Sequence, residues 1–246
     1  MKKVSIITRH NVLNYGSVLQ AYATQEVVKN LGYDPVVVDY RRCAETLDSL
    51  VKRYSEGRSL PHRIYRNTVW RLLYGAGEKR FKSMREQYLT LSPHCDETSI
   101  DALLPNTDIY LTGSDQVWNE LGDGSLDPVF FWDGLSKVEG KKVVSYAASF
   151  GRGGVVKGYE SQIGNWLKRY DAISARIQVR ISLRATVSKL SRFWIRPCFS
   201  IAPSGTRLPV KRLPLKSPTP SSITSILIQI CCSTLKIRPL APILRL

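Results

Sequence analysis

The last 70 residues of this 246-residue chain lack acidic side chains altogether. Residues 177–246, here called the tail, hold 12 Lys and Arg, whereas residues 1–176 hold 24 Lys and Arg and all 20 Asp and Glu. Soluble domains carry about a quarter charged residues with both signs mixed. The absence of negatively charged side chains over this length argues against an ordinary folded domain in the tail. The tail carries most of the net charge of +16.

Regular secondary-structure patterns and long hydrophobic runs are also missing from the tail. It contains eight of the 13 prolines, which interrupt long helices and central strands. An apolar run at residues 226–232 is far shorter than the ~20 residues needed to cross a bilayer. No signal peptide precedes the first predicted strand. We therefore predict an irregular or disordered basic tail, no transmembrane segment and a cytoplasmic protein.

Cysteine is scarce and shows no metal-binding spacing. The five cysteines are Cys43, Cys95, Cys198, Cys231 and Cys232. An odd number without the spacing of zinc sites predicts reduced thiols, as in a cytoplasmic protein. We accordingly expect no metal site.

Residues 1–176 have the pattern of an α/β domain. Residues 4–8 form a β-branched run that predicts a buried strand. A polar loop follows, then a helix capped by Ser17 or Asn14 and ended by Gly32, and then a second strand at residues 35–40. This βαβ unit predicts a right-handed crossover and a parallel sheet.

Residues 44–87 predict two or three helices that leave the sheet as a helical excursion. Residues 51–90 hold ten Lys and Arg against three Glu. These basic residues would form a helical surface that is either simply solvated or meets an anionic substrate or lipid carrier. The pattern then returns to strands at residues 108–112, 142–150 and 171–176, with a helix at residues 160–169.

Small and polar residues follow the predicted strand at residues 108–112. Gly113 and Ser114 would let a ligand approach the backbone, and Asp115 supplies a carboxylate. Open α/β sheets bind ligands at this carboxyl edge. Asp115 is therefore a candidate catalytic base or sugar-positioning residue. The alternative is that Asp115 is the N-cap of a helix that follows the strand.

The loop after the first strand would form the other side of this site. Asn14, Gly16 and Ser17 precede or open a helix, whose N-terminus favours an anion or a sugar oxygen. Gln20 lies one turn inside and either faces the cleft or caps the helix. His10 could serve in acid–base chemistry, but we expect a solvent-exposed loop histidine.

Three segments together resemble the polysaccharide pyruvyl transferase family. They are NYGSVLQAYA at residues 14–23, LTGSDQVWN at residues 111–119 and SYAASFG at residues 145–151. The resemblance covers residues 1–176 and implies the Rossmann-like N-terminal lobe of a two-lobed, glycosyltransferase-like fold. It also implies transfer of pyruvyl from phosphoenolpyruvate to sugar hydroxyls, as a ketal, in cell-surface polysaccharide biosynthesis.

The resemblance gives these residues expected roles. Asp115 would be catalytic, and the acceptor would be a sugar or a lipid-linked oligosaccharide; no cofactor is implied beyond phosphoenolpyruvate as donor substrate. The residues expected to bind substrate are Asn14, Gly16, Ser17, Gln20, Gly113 and Ser114. Much of the donor-phosphate machinery would lie in a second lobe, which is not recognisable here. We therefore expect an inactive or nearly inactive chain that self-associates through its exposed lobe face.

A frameshift just after Arg176 would account for the tail. Residues 193–199 can be encoded by codons that, with two bases dropped, read Leu-Asp-Pro-Thr-Leu-Leu. That string resembles a strand-and-turn motif that the family carries at about this distance. The alternative is a genuine, lineage-specific basic tail.

Two other functions fit parts of the sequence. One is a sugar-nucleotide glycosyltransferase-like lobe, although GSDQVW at residues 113–118 favours the pyruvyl transferase. The other is a non-catalytic, basic-tailed module that binds nucleic acid or anionic lipid. The tail has little aromatic interleaving and no nucleic-acid motif, so we expect no specific nucleic-acid partner.

Overall fold

A computed structural model describes residues 1–122, 124–151, 158–175 and 193–194. These residues form an α/β domain around one sheet in which every strand pair is parallel. The strands are β1 (Lys3–Ile7), β2 (Asp34–Val37), β3 (Ile109–Asp115), β4 (Lys142–Ala148), β5 (Ala172–Ala175) and β6 (Phe193–Trp194). Their order is β2-β1-β3-β4-β5-β6. The predicted α/β fold with a Rossmann-like parallel sheet is confirmed.

Apart from a short helix at Ile100–Leu103, which the sequence pattern does not predict, the α-helices lie where the pattern predicts them. They are α1 (Tyr15–Asn30), α2 (Leu47–Ser55), α3 (Leu60–Tyr65), α4 (Arg71–Tyr88), α5 (Ile100–Leu103) and α6 (Glu160–Leu167). A π-helical turn, Arg66–Trp70, joins α3 to α4 without a break. The helical excursion thus consists of α2, α3 and α4. None of the described helices is long and apolar enough to cross a bilayer.

The sheet separates two hydrophobic clusters because strand side chains alternate between its faces. On β3, Ile109 and Leu111 pack in the cluster that contains the buried side of α1. Tyr110, between them, enters a cluster on the other face. The aromatic members of that second cluster include Trp118, Phe131, Trp132, Phe150, Trp166 and Tyr170.

The strand order creates a switch point between β1 and β3. From β1 the chain passes through α1 to β2 on one side, and it later returns to β3 on the other side of β1. Loops that leave neighbouring strands in opposite directions leave a crevice between them, and open α/β sheets bind ligands there. The loop after β1 and the end of β3 meet at this place.

The end of β3 differs from the prediction. The strand continues through Gly113 and Ser114 to Asp115, because Gly113 pairs with Tyr146 and Asp115 pairs with Ala148 of β4. Residues 116–119 form a turn and no helix follows. The interpretation of Asp115 as a helix N-cap is therefore wrong.

Most of the tail lies outside the described residues. Within residues 177–246 only β6 is described, and it pairs with Ile173 and Ser174 of β5. The predictions of an irregular tail and of a boundary after Arg176 consequently remain predictions.

Candidate active site at the switch point

A hydrogen bond joins the two sides of the switch point. The Ser17 hydroxyl, in the first turn of α1, donates to Oδ2 of Asp115 at the end of β3 over 3.0 Å. Ser17 is buried, and Asp115 is half-buried. The sequence predicts that the loop after β1 lies beside Asp115, and the hydrogen bond between Ser17 and Asp115 joins the two.

Asp115 is held in a defined position. Its Oδ1 accepts from the backbone N–H of Gln116 at 2.8 Å, and its carbonyl accepts from the N–H of Ser149 at 3.0 Å. Its φ is 101°, a value that non-glycine residues rarely adopt and that clusters at functional sites. An ionised carboxylate has about four lone-pair sites. Asp115 can therefore still accept a proton or a hydrogen bond from a bound hydroxyl.

Gln20 connects the loop after β1 with the end of β3. Its Nε2 donates to Oγ1 of Thr8 at 2.6 Å, and its Oε1 accepts from the Ser114 hydroxyl at 2.6 Å. Thr8 Oγ1 in turn donates to the carbonyl of Ser114 at 2.7 Å. These three hydrogen bonds form a closed ring among Thr8, Gln20 and Ser114. Gln20 and Ser114 therefore hold the loop after β1 against the end of β3, beside Asp115. The sequence reasoning missed Thr8, the last residue of its apolar run.

Gly113 is required by the neighbouring strand. A Cβ at this position would lie 2.2 Å from the carbonyl oxygen of Tyr146, and φ is 110°. Gly113 is buried, and the space that its missing side chain leaves is occupied by β4. Position 113 therefore needs a glycine for the packing of β3 against β4, independently of any ligand.

Asn14 and Gly16 lie at the exposed start of α1. The Oδ1 of Asn14 accepts from the N–H of Gly16 at 2.8 Å, which makes Asn14 the N-cap. A Cβ on Gly16 would come within 3.2 Å of that oxygen. Of the two predicted caps, Asn14 is the one found, while Ser17 turns to Asp115. Neither Asn14 nor Gly16 belongs to the hydrogen bonds around Gln20.

His10 is completely buried, which corrects the expectation of an exposed loop histidine. Its Nδ1 lies 3.2 Å from the carbonyl of Thr8, and its Nε2 lies 3.3 Å from Oδ1 of Asp39. A carbonyl and a carboxylate only accept hydrogen bonds. A ring nitrogen of His10 that carries a proton therefore donates to its partner. The loop after β1 buries His10 between its own backbone and Asp39, just after β2.

Asp39 collects donors from three side chains. Its Oδ1 also accepts from Nδ2 of Asn11 at 2.8 Å, and its Oδ2 lies 3.1 Å from Nδ1 of His94. Burial raises the pKa of Asp39, but the hydrogen bonds from His10 and Asn11 and the nearby histidines outweigh it and hold the pKa well below its ordinary value. Sequence reasoning missed Asp39, although it is the only acid in the apolar run at residues 35–40.

The three segments that carry the family resemblance converge at this edge. Ser17 contacts Asp115, and the N–H of Trp118 donates to the carbonyl of Ser149 at 3.1 Å. A Cβ on Gly151 would lie 2.7 Å from the side chain of Asn119. Residues 14–23, 111–119 and 145–151 are thus joined by direct contacts.

Trp118 belongs to the core of the domain. It is fully buried and stacks on Phe131 with ring centroids 5.4 Å apart and an interplanar angle of 9°. Its Nε1 donates to the carbonyl of Phe130. Trp118 therefore anchors the turn after Asp115 to the hydrophobic cluster. Among the described residues, no group of three His, Cys, Asp or Glu side chains could hold a metal ion.

Comparison with known protein families matches residues 14–176 to the family described as polysaccharide pyruvyl transferase. The match covers well over half of the chain and includes all three convergent segments. No curated protein and no solved structure matches the chain. The family match agrees with the resemblance that these segments carry in the sequence. The chain belongs to the polysaccharide pyruvyl transferase family.

Proposed function

We propose that this domain is the N-terminal lobe of an enzyme that transfers pyruvyl from phosphoenolpyruvate to sugar hydroxyls in cell-surface polysaccharide biosynthesis in the cytoplasm. The observation that carries the proposal is the position of Asp115 in a member of this family. Its carboxylate is half-buried at the switch point of a parallel sheet and is held by Ser17. Ligands of open α/β sheets bind at such crevices.

The chemistry requires a group that handles the proton of the acceptor. The donor methylene gains a proton and becomes a methyl group, and two sugar hydroxyl oxygens form bonds to the central donor carbon. The carbon–oxygen bond to phosphate breaks. Of the two hydroxyl protons released, one balances the methyl group and the other leaves with phosphate. Asp115 would accept a hydroxyl proton or orient that hydroxyl for attack.

The surrounding residues would prepare Asp115 for this role. Ser17 and the N–H of Gln116 each use one lone pair of the carboxylate, which fixes its orientation. Gln20 and Ser114 keep the β1 loop beside the end of β3. The exposed start of α1 at Asn14 and Gly16 would meet a sugar oxygen or another polar group of a lipid-linked acceptor.

We further propose that the 246-residue chain has little or no pyruvyl transferase activity. Holding the carboxylate and phosphate of the donor requires Arg or Lys from outside the Asp115 cluster. The family match ends at Arg176, and the tail contains no acid. A frameshift just after Arg176 would replace the second lobe by the tail.

The DNA around codon 176 provides the first test. A single extra or missing base, whose correction yields an acid-containing second lobe, would support the frameshift. An undisturbed gene whose relatives encode the same basic tail would contradict it. The corrected protein and the 246-residue chain are then compared for phosphate release from phosphoenolpyruvate with a sugar diol. We expect activity only in the corrected protein.

Asp115→Asn in the corrected protein tests the catalytic assignment. Loss of a general base lowers the rate by about 100-fold or more. Asp108→Asn is the matched control, because Asp108 lies just before the opposite end of β3, where it binds the N–H of Lys3. Equal activity of the two variants would contradict the role of Asp115. Turnover of a nucleotide sugar without phosphoenolpyruvate would contradict the reaction class.

A further inference from the structure

Exposed apolar side chains are concentrated on the helical excursion. Eleven large apolar or aromatic side chains are exposed in the part of the chain that the structure describes, and seven lie between residues 54 and 74. Leu60, Ile64, Leu72 and Leu73 are between 64% and 70% exposed. Scattered exposed leucines are ordinary, whereas a concentration within one helical segment indicates an interaction surface.

The same segment is basic. Residues 54–74 hold four arginines, at positions 58, 63, 66 and 71, against a single acid, Glu56. Arg71 is paired with Asp48 of α2 at 2.7 Å. Apolar and cationic residues are thus combined on the excursion, while the described part of the chain before the tail carries nearly balanced charge. We call residues 54–74 the basic apolar patch.

The excursion is only thinly packed on the rest of the domain. Phe81 is the one buried residue of α4, and its ring lies 4.6 Å from that of Tyr15 on α1. Val51 and Ser55 are the buried residues of α2. The leucines of the basic apolar patch lie before Phe81 in the chain and are exposed rather than packed on α1.

An open cavity adjoins this patch. It has a volume of about 420 Å³, and its lining includes Lys52, Arg63 and Arg71 together with Asp48 and Glu56. The cavity lies between α2 and the joined α3–α4 helix, away from Asp115. Its lining combines three basic with two acidic side chains, and Arg71 is paired with Asp48, so the cavity carries only a small positive charge.

We propose that the basic apolar patch binds the surface of an anionic lipid bilayer. A helix at such a surface places its apolar side chains at the boundary between head groups and acyl chains, while its Lys and Arg meet anionic lipids. Leu60, Ile64, Leu72 and Leu73 supply the apolar side chains, and the arginines supply the charge. No transmembrane helix is needed for this mode of attachment.

Charge selects the bilayer over a second copy of the chain. A two-fold interface brings the same surface of both copies together. It would place Arg58 and Arg63 opposite their equivalents, with Glu56 as the single acid within residues 54–74. An anionic surface is complementary to the same segment. The proposal does not depend on the pyruvyl transfer proposed above.

Co-sedimentation of the full chain with vesicles tests the proposal. Phosphatidylcholine vesicles are compared with vesicles that also contain phosphatidylglycerol. We expect binding to the anionic vesicles that weakens with salt. Leu72→Glu should lower the vesicle partition coefficient by roughly tenfold or more, because it removes one inserted leucine and adds a repelled charge.

Leu103→Glu is the matched control. Leu103 is 41% exposed, lies on α5 and receives the same change in charge. Because the tail is identical in all three proteins, a difference between the two variants reports on the patch. Equal loss in both variants, or equal binding by wild type and Leu72→Glu, would overturn the proposal.

A second measurement tests the proposal even if Leu72→Glu folds poorly. The wild type has five tryptophans, and Leu73→Trp adds a sixth on the patch. We expect brominated lipids in anionic vesicles to quench the emission of Leu73→Trp more strongly than that of the wild type. Absence of this additional quenching in protein that sediments with the vesicles would place the contact elsewhere and overturn the proposal. Self-association that Leu72→Glu abolishes, without vesicle binding by the wild type, would also overturn it and assign the patch to a second copy.

Discussion

The hydroxyl of Ser17 and the carboxylate of Asp115, 98 positions apart in the chain, are joined by a 3.0 Å hydrogen bond across the switch point between β1 and β3. This bond connects the first turn of α1 to the end of β3. It therefore links the orientation of the proposed catalytic carboxylate to the stability of the domain, and the two effects can be measured separately.

A double-mutant cycle measures this bond. Ser17→Ala should lower the free energy of unfolding by about 1 kcal/mol, because a partly exposed carboxylate loses one donor and regains water. Ser17→Ala, Asp115→Asn and the double variant are compared by urea denaturation. We expect a coupling energy of about 0.5 kcal/mol or more. Ser83→Ala on the exposed side of α4 is the control, and strictly additive effects would contradict the bond.

Gly113 and Gly140 separate a steric effect from a backbone effect. Both have positive φ, but a Cβ on Gly113 would meet the carbonyl of Tyr146 at 2.2 Å, while a Cβ on Gly140 meets nothing within 4 Å. Gly140→Ala should cost about 1–2 kcal/mol for its φ alone. Gly113→Ala should cost about 3 kcal/mol or more, since β4 must also move. Thermal and urea unfolding test the difference, and equal losses would contradict it.

Asp39 should make the stability of the domain depend on pH under acidic conditions. Hydrogen bonds from His10 and Asn11 hold its pKa below the ordinary 3.8, despite a burial that alone would raise it. As pH falls below 3.8, the unfolded chain takes up a proton before the folded protein does. The contribution is therefore complete above this pH and is lost as pH decreases further.

Asp39→Asn removes this contribution. Urea denaturation between roughly pH 3 and pH 6 should show a shallower loss of stability at low pH than the wild type. Asp48→Asn is the control, because Asp48 has an exposed side chain on α2. If Asp39→Asn and wild type lose stability in parallel as pH falls, the hydrogen bonds of Asp39 do not have the effect inferred for them.

Trp118 should stabilise the domain through its packing in the core. It has no solvent exposure and stacks on Phe131, so Trp118→Ala should lower the free energy of unfolding by about 3–5 kcal/mol. Trp118→Phe retains a ring and should lose less. Asn119→Ala, at the neighbouring half-buried position, should change stability by less than about 1 kcal/mol. A Trp118→Ala protein as stable as Asn119→Ala would contradict the core assignment.

Asn14 distinguishes capping from substrate contact. Asn14→Ala should lower stability by about 1 kcal/mol, whereas Asn14→Asp should retain the cap that holds the N–H of Gly16. In the corrected two-lobed protein, Asn14→Asp should keep normal stability. A raised KM for the acceptor in that variant would then report a substrate contact, and an unchanged KM would assign Asn14 to capping alone.

Much of the fold could be predicted because its signals are local. The β-branched runs, the alternation with helices, and Gly32 after α1 each depend on neighbouring residues. The parallel sheet follows from the connection of successive strands through helices. Asp115 could be placed at the sheet edge for the same reason. The exact end of β3 could not, because Gly113, Ser114 and Asp115 extend the strand only through pairing with β4.

The contacts of the site required the three-dimensional arrangement. His10 looked like an exposed loop residue because burial in a polar loop depends on a distant partner, here Asp39. Gln20 could face a cleft or cap a helix by sequence, and the structure shows that it bridges Thr8 and Ser114. Side-chain hydrogen bonds of this kind have no periodicity along the chain that a sequence pattern could reveal.

The sequence by itself determined the α/β class, the contrast between residues 1–176 and the tail, and the three segments of the family, because composition and short-range spacing carry these properties. Only the tertiary structure decided that β1 lies between β2 and β3. That order brings Ser17 against Asp115 and His10 against Asp39, since the loop after β1 then faces strand ends on both sides.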